Sequence, residues 1–336
     1  MAQRILFFDV KEDDKKFFEE YNLACWEQIY YEDSLTNYSE LPQADHEAEI
    51  ISVFTTSRVG EDVLSKFPYL KLIAARSVGL NHIDMDYCRE HNITVKNAPH
   101  YGDNTVAEFT FGLMLDVSRH ITKAYYDLKS ENIHIEEYCG TELFNKTLGI
   151  IGLGAIGGEV ARIARGFHMN ILAYDIVECE AHKEKHHVKY TTLDDIAQNA
   201  DIVTIHMPST KTNYHLIGAD FFNKMKSTSY LINTARGEIV DTQALYDAIS
   251  SKKILGAGLD VLEYEEMISS PDEYITKIND LDAEILRKTL LNNKLLKLPN
   301  VIITPHIAFN TKEAIRRTLE ITLNNIYAFV GHSRKS

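Results

Sequence analysis

The segment Gly149-Ile-Ile-Gly152-Leu-Gly154-Ala-Ile-Gly157 constrains this chain more than any other. Its glycines follow an apolar run, Thr147–Ile151, and open a helical pattern, Ile156–Phe167. The next apolar run, Asn170–Tyr174, ends at Asp175, 18 residues past Gly157. A G-x-G-x-x-G pattern alone says little. Strand, glycine loop, helix, strand and terminal acid in this order predict a βαβ unit that binds a dinucleotide. Gly152 allows the tight turn. Gly154 lets the backbone approach a pyrophosphate, and Gly157 lets the helix pack closely. The helix N-terminus then offers its N–H groups to the phosphates. Asp175 is placed to accept from ribose hydroxyls and would repel a 2′-phosphate, which favours NAD over NADP. The competing explanation, a structural glycine turn beside a chance aspartate, leaves this context unexplained.

The rest of the chain alternates in the same way. Strand candidates at Ile5–Phe8, Ile50–Thr55, Leu70–Ala75 and Ile93–Asn97 precede the glycine loop. Others follow at Ile202–His206, Tyr230–Asn233, Leu255–Asp260 and Val301–Thr304. Helical patterns lie between them at Asp13–Tyr21 and Glu61–Phe67. A longer one, capped by Asn104 or Thr105, carries the stripe Val106, Phe109, Thr110, Leu113, Met114 and Val117. The chain closes on an amphipathic pattern from Thr311 to Phe329. Strands separated by helices predict parallel sheets. With 336 residues there is room for about two domains. The expected fold is α/β, with two doubly wound parallel-sheet domains. A Rossmann NAD domain, 104–305, is inserted in a flavodoxin-like substrate domain made of 1–103 plus 306–336.

Composition excludes several partners. The formal charge of −14 argues against nucleic acid and against an anionic membrane surface. No apolar run is long enough for a membrane span. The first residues read as a strand followed by charges rather than as a signal peptide. Cys25, Cys88, Cys139 and Cys179 are scattered and form no CxxC pair, so no metal site is expected from them. His182, His186 and His187 lie in a charged stretch that reads as a solvated face rather than a metal site. A cytoplasmic protein is the expectation.

Three polar residues stand after later strands: Arg236 in Asn-Thr-Ala-Arg-Gly, Glu265 a few residues past Asp260, and His306 in Thr-Pro-His. Ligands of open parallel sheets bind beyond the carboxyl ends of the strands. Arginine, carboxylate and histidine suit reduction of a 2-oxo acid. The guanidinium forks onto a carboxylate and polarises a carbonyl. The imidazole gives a proton to the developing alkoxide. Singly, each residue also has a structural explanation, and Glu263 and Glu266 compete with Glu265.

Taken together, the glycine loop, NTARG, D-x-x-x-x-E and TPH resemble the D-isomer-specific 2-hydroxyacid dehydrogenases, as does Arg76-Ser-Val-Gly-Leu-Asn-His-Ile-Asp84. The resemblance covers nearly the whole chain. It implies that Arg236 binds the substrate carboxylate and carbonyl, that His306 is the acid/base and that Glu265 is its partner. It implies that the amides of Val78 and Gly79 hold the substrate carboxylate. It also implies that Gly152, Gly154, Ala155, Ile156, Gly157, Asp175, Met207, Pro208, Asn213, Thr234, Ala235, Arg236 and Asp260 surround NAD. A homodimer supported by the long helix after Asn104 is implied too.

Within the family the chain is most similar to D-lactate dehydrogenases, including the vancomycin-resistance type. Asp260-Val-Leu-Glu-Tyr-Glu265, Phe309 and Tyr101 carry that similarity, the last two as substrate neighbours. Phe54 replaces a tyrosine of several lactate enzymes. The stretch Glu266–Pro299 is longer than usual, with a charged helical part at Asp282–Leu298. Pyruvate reduction to D-lactate is therefore the favoured expectation. The alternatives are a D-2-hydroxyisocaproate-type, glyoxylate or hydroxypyruvate reductase and, in another class, an NAD(H)-sensing corepressor-like protein. Glu265 speaks against the formate-dehydrogenase branch, which has glutamine there.

Overall fold

In the computed structural model, which describes residues 3–21, 23, 26–36, 41–269 and 282–331, the apolar runs become parallel strands. Cys25 and residues 270–281 of the long stretch after Glu266 lie outside the described residues. The chain divides into two compact units, 1–101 with 311–336, and 102–310.

The first unit holds β1 (Gln3–Phe7), β2 (Trp26–Tyr30), β3 (Ile50–Val53), β4 (Leu72–Ala75) and β5 (Thr94–Lys96). They form one sheet in the order β2-β1-β3-β4-β5, all parallel. Ile5, Phe7, Ile50, Leu72 and Ala74 are buried on one face against Phe17 and Phe18. The C-terminal helix, Lys312–Val330, brings Leu319, Leu323 and Ile326 into the same cluster. Its first turn is capped by Thr311, whose hydroxyl accepts from the Ala314 amide. The end of the chain thus completes the first unit. Strand β2 is absent from the sequence expectation. WEQIY sits at the sheet edge and is only partly buried, so it lacks the apolar run that marks the others.

The second unit holds β6 (Thr147–Ile151), β7 (Asn170–Tyr174), β8 (Lys189–Tyr190), β9 (Ile202–Ile205), β10 (Tyr230–Asn233), β11 (Gly256–Leu259) and β12 (Val301–Ile303). Their order is β12-β11-β10-β9-β6-β7-β8, again all parallel. The order reverses between β6 and β9, where a doubly wound sheet opens its binding crevice. Strands β3, β9 and β10 are buried along their whole length, which is why they read as unbroken apolar runs rather than alternating ones.

Two sequence expectations shift. The long helix spans Asp103–Arg119 with Gly102 at its N-cap, so neither Asn104 nor Thr105 caps it. Asn104 instead donates to Glu108 and accepts from Arg162, while Thr105 is buried. The units divide at 101/102 and 310/311, where the sequence expectation divides the chain after 103 and after 305. Residues 306–310 go with the second unit because they are bonded to it: the His306 amide donates to the Asp260 carbonyl, and the Ile307 and Ala308 amides donate to the Asp260 carboxylate.

Candidate active site

The glycine loop leaves β6 at the switch point. Gly152 has φ +93°, and a Cβ there would lie 2.7 Å from the Met207 nitrogen and 2.8 Å from the His206 carbonyl. The loops after β6 and β9 therefore touch through a residue that has to be glycine. A Cβ on Gly157 would lie 2.1 Å from the Gly152 carbonyl oxygen, so the helix Ala155–Gly166 closes directly on the loop. At Gly154 a Cβ would meet no protein atom within 4 Å. The loop faces open space there, at the N-terminus of a 12-residue helix whose first amides have no intrahelical partner. This arrangement fits a pyrophosphate.

Asp175 does two jobs. Its carboxylate accepts from the Leu153 amide (2.7 Å) and the Val177 amide (3.2 Å), tying the glycine loop to the end of β7. It remains partly exposed, which leaves it accessible to a ligand at the glycine loop. After β9, Asn213 accepts from the Thr210 amide and donates to the Pro208 carbonyl, both at 2.7 Å, which closes the 208–213 loop. Met207 is half-buried and packs on the core of this unit. Next to it, burial pushes the His206 pKa down to about 3, so this imidazole is neutral.

Three loops then converge. After β10, the Asn233 side chain accepts from the Ala235 amide and donates to the Arg236 carbonyl. Thr234 bonds Thr110 of the long helix. This folds NTARG into a fixed turn that presents Arg236. Gly237 follows, and a Cβ there would lie 2.1 Å from the Leu262 carbonyl carbon and 2.4 Å from the Glu263 nitrogen. The Arg236 turn is thereby seated against the loop after β11.

That loop begins with Asp260, 1% exposed. Its carboxylate accepts from Thr304 Oγ1 (2.5 Å), the Ile307 amide (3.0 Å) and the Ala308 amide (2.8 Å). Asp260 thus holds the turn after β12. In that turn His306 has φ +52°, a conformation non-glycine residues adopt at a cost and keep only when neighbours enforce it. Burial raises the Asp260 pKa, against the opposing pull of these donors.

His306 Nδ1 lies 2.5 Å from Glu265 Oε1, and Glu265 Oε2 accepts from the Leu262 amide at 3.0 Å. Burial works against the charged imidazolium. The Glu265 hydrogen bond and charge outweigh it, so the His306 pKa lies above its ordinary value although Arg236 pulls it down. With Nδ1 held by Glu265, Nε2 is the ring nitrogen left available for proton exchange. The Phe309 ring stands edge-on, 6.4 Å from the imidazole. One unit therefore brings together Arg236, Glu265, His306 and Phe309. Of the three neighbouring acids, geometry selects Glu265. Glu263 turns the other way and is buried against Lys288, a pairing that no local sequence signal shows.

In the first unit, Arg76 is buried and donates to Ser52 and to the carbonyls of Phe8 and Asp9. Burial lowers its pKa to about 10. It anchors the loop after β4, where Ser77 Oγ donates to the Gly79 carbonyl and Asn97 donates to the Val78 carbonyl. Val78 is half exposed. Tyr101 is buried, and its carbonyl accepts from Arg317 of the C-terminal helix. His186 is buried on the helix Glu180–His186, and the His182 ring lies where a Cβ on Gly158 would stand.

Residues 111–308 match the family model described as the NAD binding domain of D-isomer specific 2-hydroxyacid dehydrogenases. An aromatic 2-oxoacid reductase of Clostridium sporogenes is 40% identical over 282 residues, 83% of this chain and 82% of its own. A hydroxypyruvate reductase of Thermotoga maritima is 37% identical over 87% of this chain and 88% of its own. Among solved structures, D-lactate dehydrogenase from Aquifex aeolicus, complexed with NAD and lactic acid, superposes with a TM-score of 0.83. It is 39% identical over 97% of this chain and 95% of that one.

Proposed function

Because the chain belongs to the D-isomer specific 2-hydroxyacid dehydrogenases, NAD-dependent oxidoreductases, we propose that it interconverts pyruvate and D-lactate. The observation that carries this reading is the Glu265–His306 pair with Arg236 beside it. Bound at the glycine loop, NAD would supply or accept the hydride; Asp175 would hold its ribose, Ala155 and Ile156 its phosphates, and Met207, Pro208, Asn213 and Thr234–Arg236 the remainder. Arg236 takes the substrate carboxylate and draws charge onto its carbonyl oxygen. The family resemblance further assigns the Val78 and Gly79 amides and Tyr101 of the first unit to substrate binding, and we include them in the proposal. His306 Nε2 gives its proton to the oxygen in reduction and takes it back in oxidation. Glu265 keeps the imidazolium stable and its ring fixed.

The Phe309 ring, edge-on to the His306 imidazole at 6.4 Å, supports a small substrate. The similarity to D-lactate dehydrogenase of A. aeolicus supports the same choice. The aromatic 2-oxoacid reductase of C. sporogenes favours a larger 2-oxo acid. We further propose a cytoplasmic homodimer, the dimer on the family resemblance alone; no described helix is long and apolar enough to cross a membrane.

The test follows NADH oxidation with pyruvate, hydroxypyruvate, a branched 2-oxo acid and phenylpyruvate, then NAD reduction with D- and L-lactate. Pyruvate and D-lactate should give the highest kcat/KM. Preference for phenylpyruvate would move the substrate class, and turnover of L- but not D-lactate would overturn the stereochemistry. Turnover in His306→Gln should fall by roughly 10² or more, the usual loss for a positioned general acid.

A further inference from the structure

The loop that carries Glu265 is fastened from behind by groups away from the reacting centre. Glu263 is 2% exposed on its side chain. Its carboxylate accepts from Lys288 Nζ (2.8 Å), His215 Nε2 (2.8 Å), the Thr242 amide (3.1 Å) and Thr242 Oγ1 (2.5 Å). Its carbonyl accepts from Asn292 Nδ2 at 2.7 Å. Lys288 and Asn292 stand one turn apart on the helix Ala283–Leu295, and both are buried. Asp241, the cap of the helix Thr242–Ser250, adds a second carboxylate 3.7 Å from Lys288. His215, Asp241 and Glu263 place ligand atoms within 4.8 Å of one another, but the Lys288 ammonium already stands where a cation would.

Four donors fill the acceptor sites of the carboxylate and a fifth takes the carbonyl, so residue 263 is held at both ends. The consequence lies one residue along. Tyr264, between Glu263 and Glu265, has φ +53°, which a non-glycine residue keeps only when both sides are held. One side is the Glu263 clamp. The other is Glu265 itself, bonded to the Leu262 amide and to His306. Released from the clamp, Tyr264 would relax toward an ordinary φ and swing the Glu265 carboxylate off Nδ1.

We infer that Glu263, Lys288 and Asn292 are positioning residues that fix the Tyr264 turn and so set how firmly Glu265 holds the charged form of His306. The charged helix of the long stretch after Glu266 thereby acts on proton transfer rather than on the substrate side chain. This inference rests on the reading of Glu265 and His306 as the acid–base pair.

Asn292→Ala removes the carbonyl tether without changing charge, Lys288→Met removes the ammonium, and Lys288→Arg restores a cation. Thr242→Val serves as a milder variant that keeps the amide donor. The direct readout is an NMR titration of the His306 imidazole, assigned by its loss in His306→Gln. In Asn292→Ala, Lys288→Met and Thr242→Val, His306 should titrate at lower pH than in the parent, and Lys288→Arg should recover the parent value. The kcat for pyruvate should fall about tenfold or more, as for a slightly misplaced catalytic group, with the KM for NADH unchanged. An unmoved His306 titration in folded Asn292→Ala and Thr242→Val would overturn the inference. Should His306→Gln retain turnover while Asn292→Ala still moves the His306 titration, the acid–base reading fails and the clamp stands.

Discussion

Gly237→Ala tests whether the Arg236 turn must be seated on the loop that carries Glu265. The added Cβ would lie 2.1 Å from the Leu262 carbonyl carbon, 2.2 Å from its oxygen and 2.4 Å from the Glu263 nitrogen. All three are backbone atoms, so no side-chain rotation relieves the clash. The turns must part by roughly 1 Å, and a misplacement of that size can cost about 10² in rate. Overpacking of this kind also costs about 1–3 kcal/mol of stability. The glycine loop and Asp175 follow other strands and are untouched, so NADH should still bind, weakened by no more than about tenfold, near 1.4 kcal/mol, through the displaced Thr234–Arg236 turn, a smaller loss than that in kcat/KM. The assay pairs kcat/KM for pyruvate with a fluorescence titration of NADH and a melting curve. A folded Gly237→Ala variant that keeps near-parental kcat/KM would refute the claim that this close approach aligns Arg236 with the acid–base pair. A parallel loss of NADH binding would point to a wider disturbance and refute it as well.

Three further outcomes follow from the same geometry. Reduction needs the His306 imidazolium, so its rate should fall as pH rises through the raised His306 pKa, while oxidation rises over the same range. In Glu265→Gln both raising contributions from that carboxylate vanish and burial and Arg236 remain, opposed only by the smaller pull of Asp260, so both limbs should move to lower pH; unmoved pH–rate limbs would exclude Glu265 as the partner. Asp175→Asn should weaken NADH binding about tenfold, near 1.4 kcal/mol, and narrow the preference over NADPH; an unchanged NADH-to-NADPH ratio of kcat/KM would remove Asp175 from the ribose. Asp260→Ala strands the donors on Thr304, Ile307 and Ala308, which should cost about 2 kcal/mol or more and lower kcat with it, because His306 rides on that turn. Calorimetry showing no loss of stability would contradict the role given to Asp260.

The parts of this molecule legible in its sequence are those that depend on neighbours in the chain. The glycine loop is a local device: its spacing, flanking runs and terminal acid occupy 147–175, and the structure places them in one βαβ unit at the switch point. Buried parallel strands read as unbroken apolar runs for the same reason. Strand β2 escaped because an edge strand needs apolar residues on fewer sides, and the two-residue β8 because it is too short to carry a period. The cap of the long helix escaped because Asn104 is spent on Glu108 and Arg162, a choice that its neighbours in sequence cannot reveal.

What the sequence could not show is how three strand-end residues are held to ångström tolerances. The family resemblance implies Asp260 among the residues around NAD; the structure adds that its carboxylate holds the turn in which His306 has a positive φ. Glu263 read as a rival to Glu265, and the structure makes it a support for the loop that Glu265 occupies. Its partners His215, Thr242 and Lys288 are 48, 21 and 25 residues away, beyond the reach of any periodic pattern. Buried charge of this kind is a costly way to gain stability, because each ion must be desolvated before it is paired. It makes better sense as a way to fix one geometry. The same cost explains why the network lies behind the site rather than in it. Glu263 must stay fully paired, whereas Glu265 has to be paired chiefly with the one group whose proton it governs.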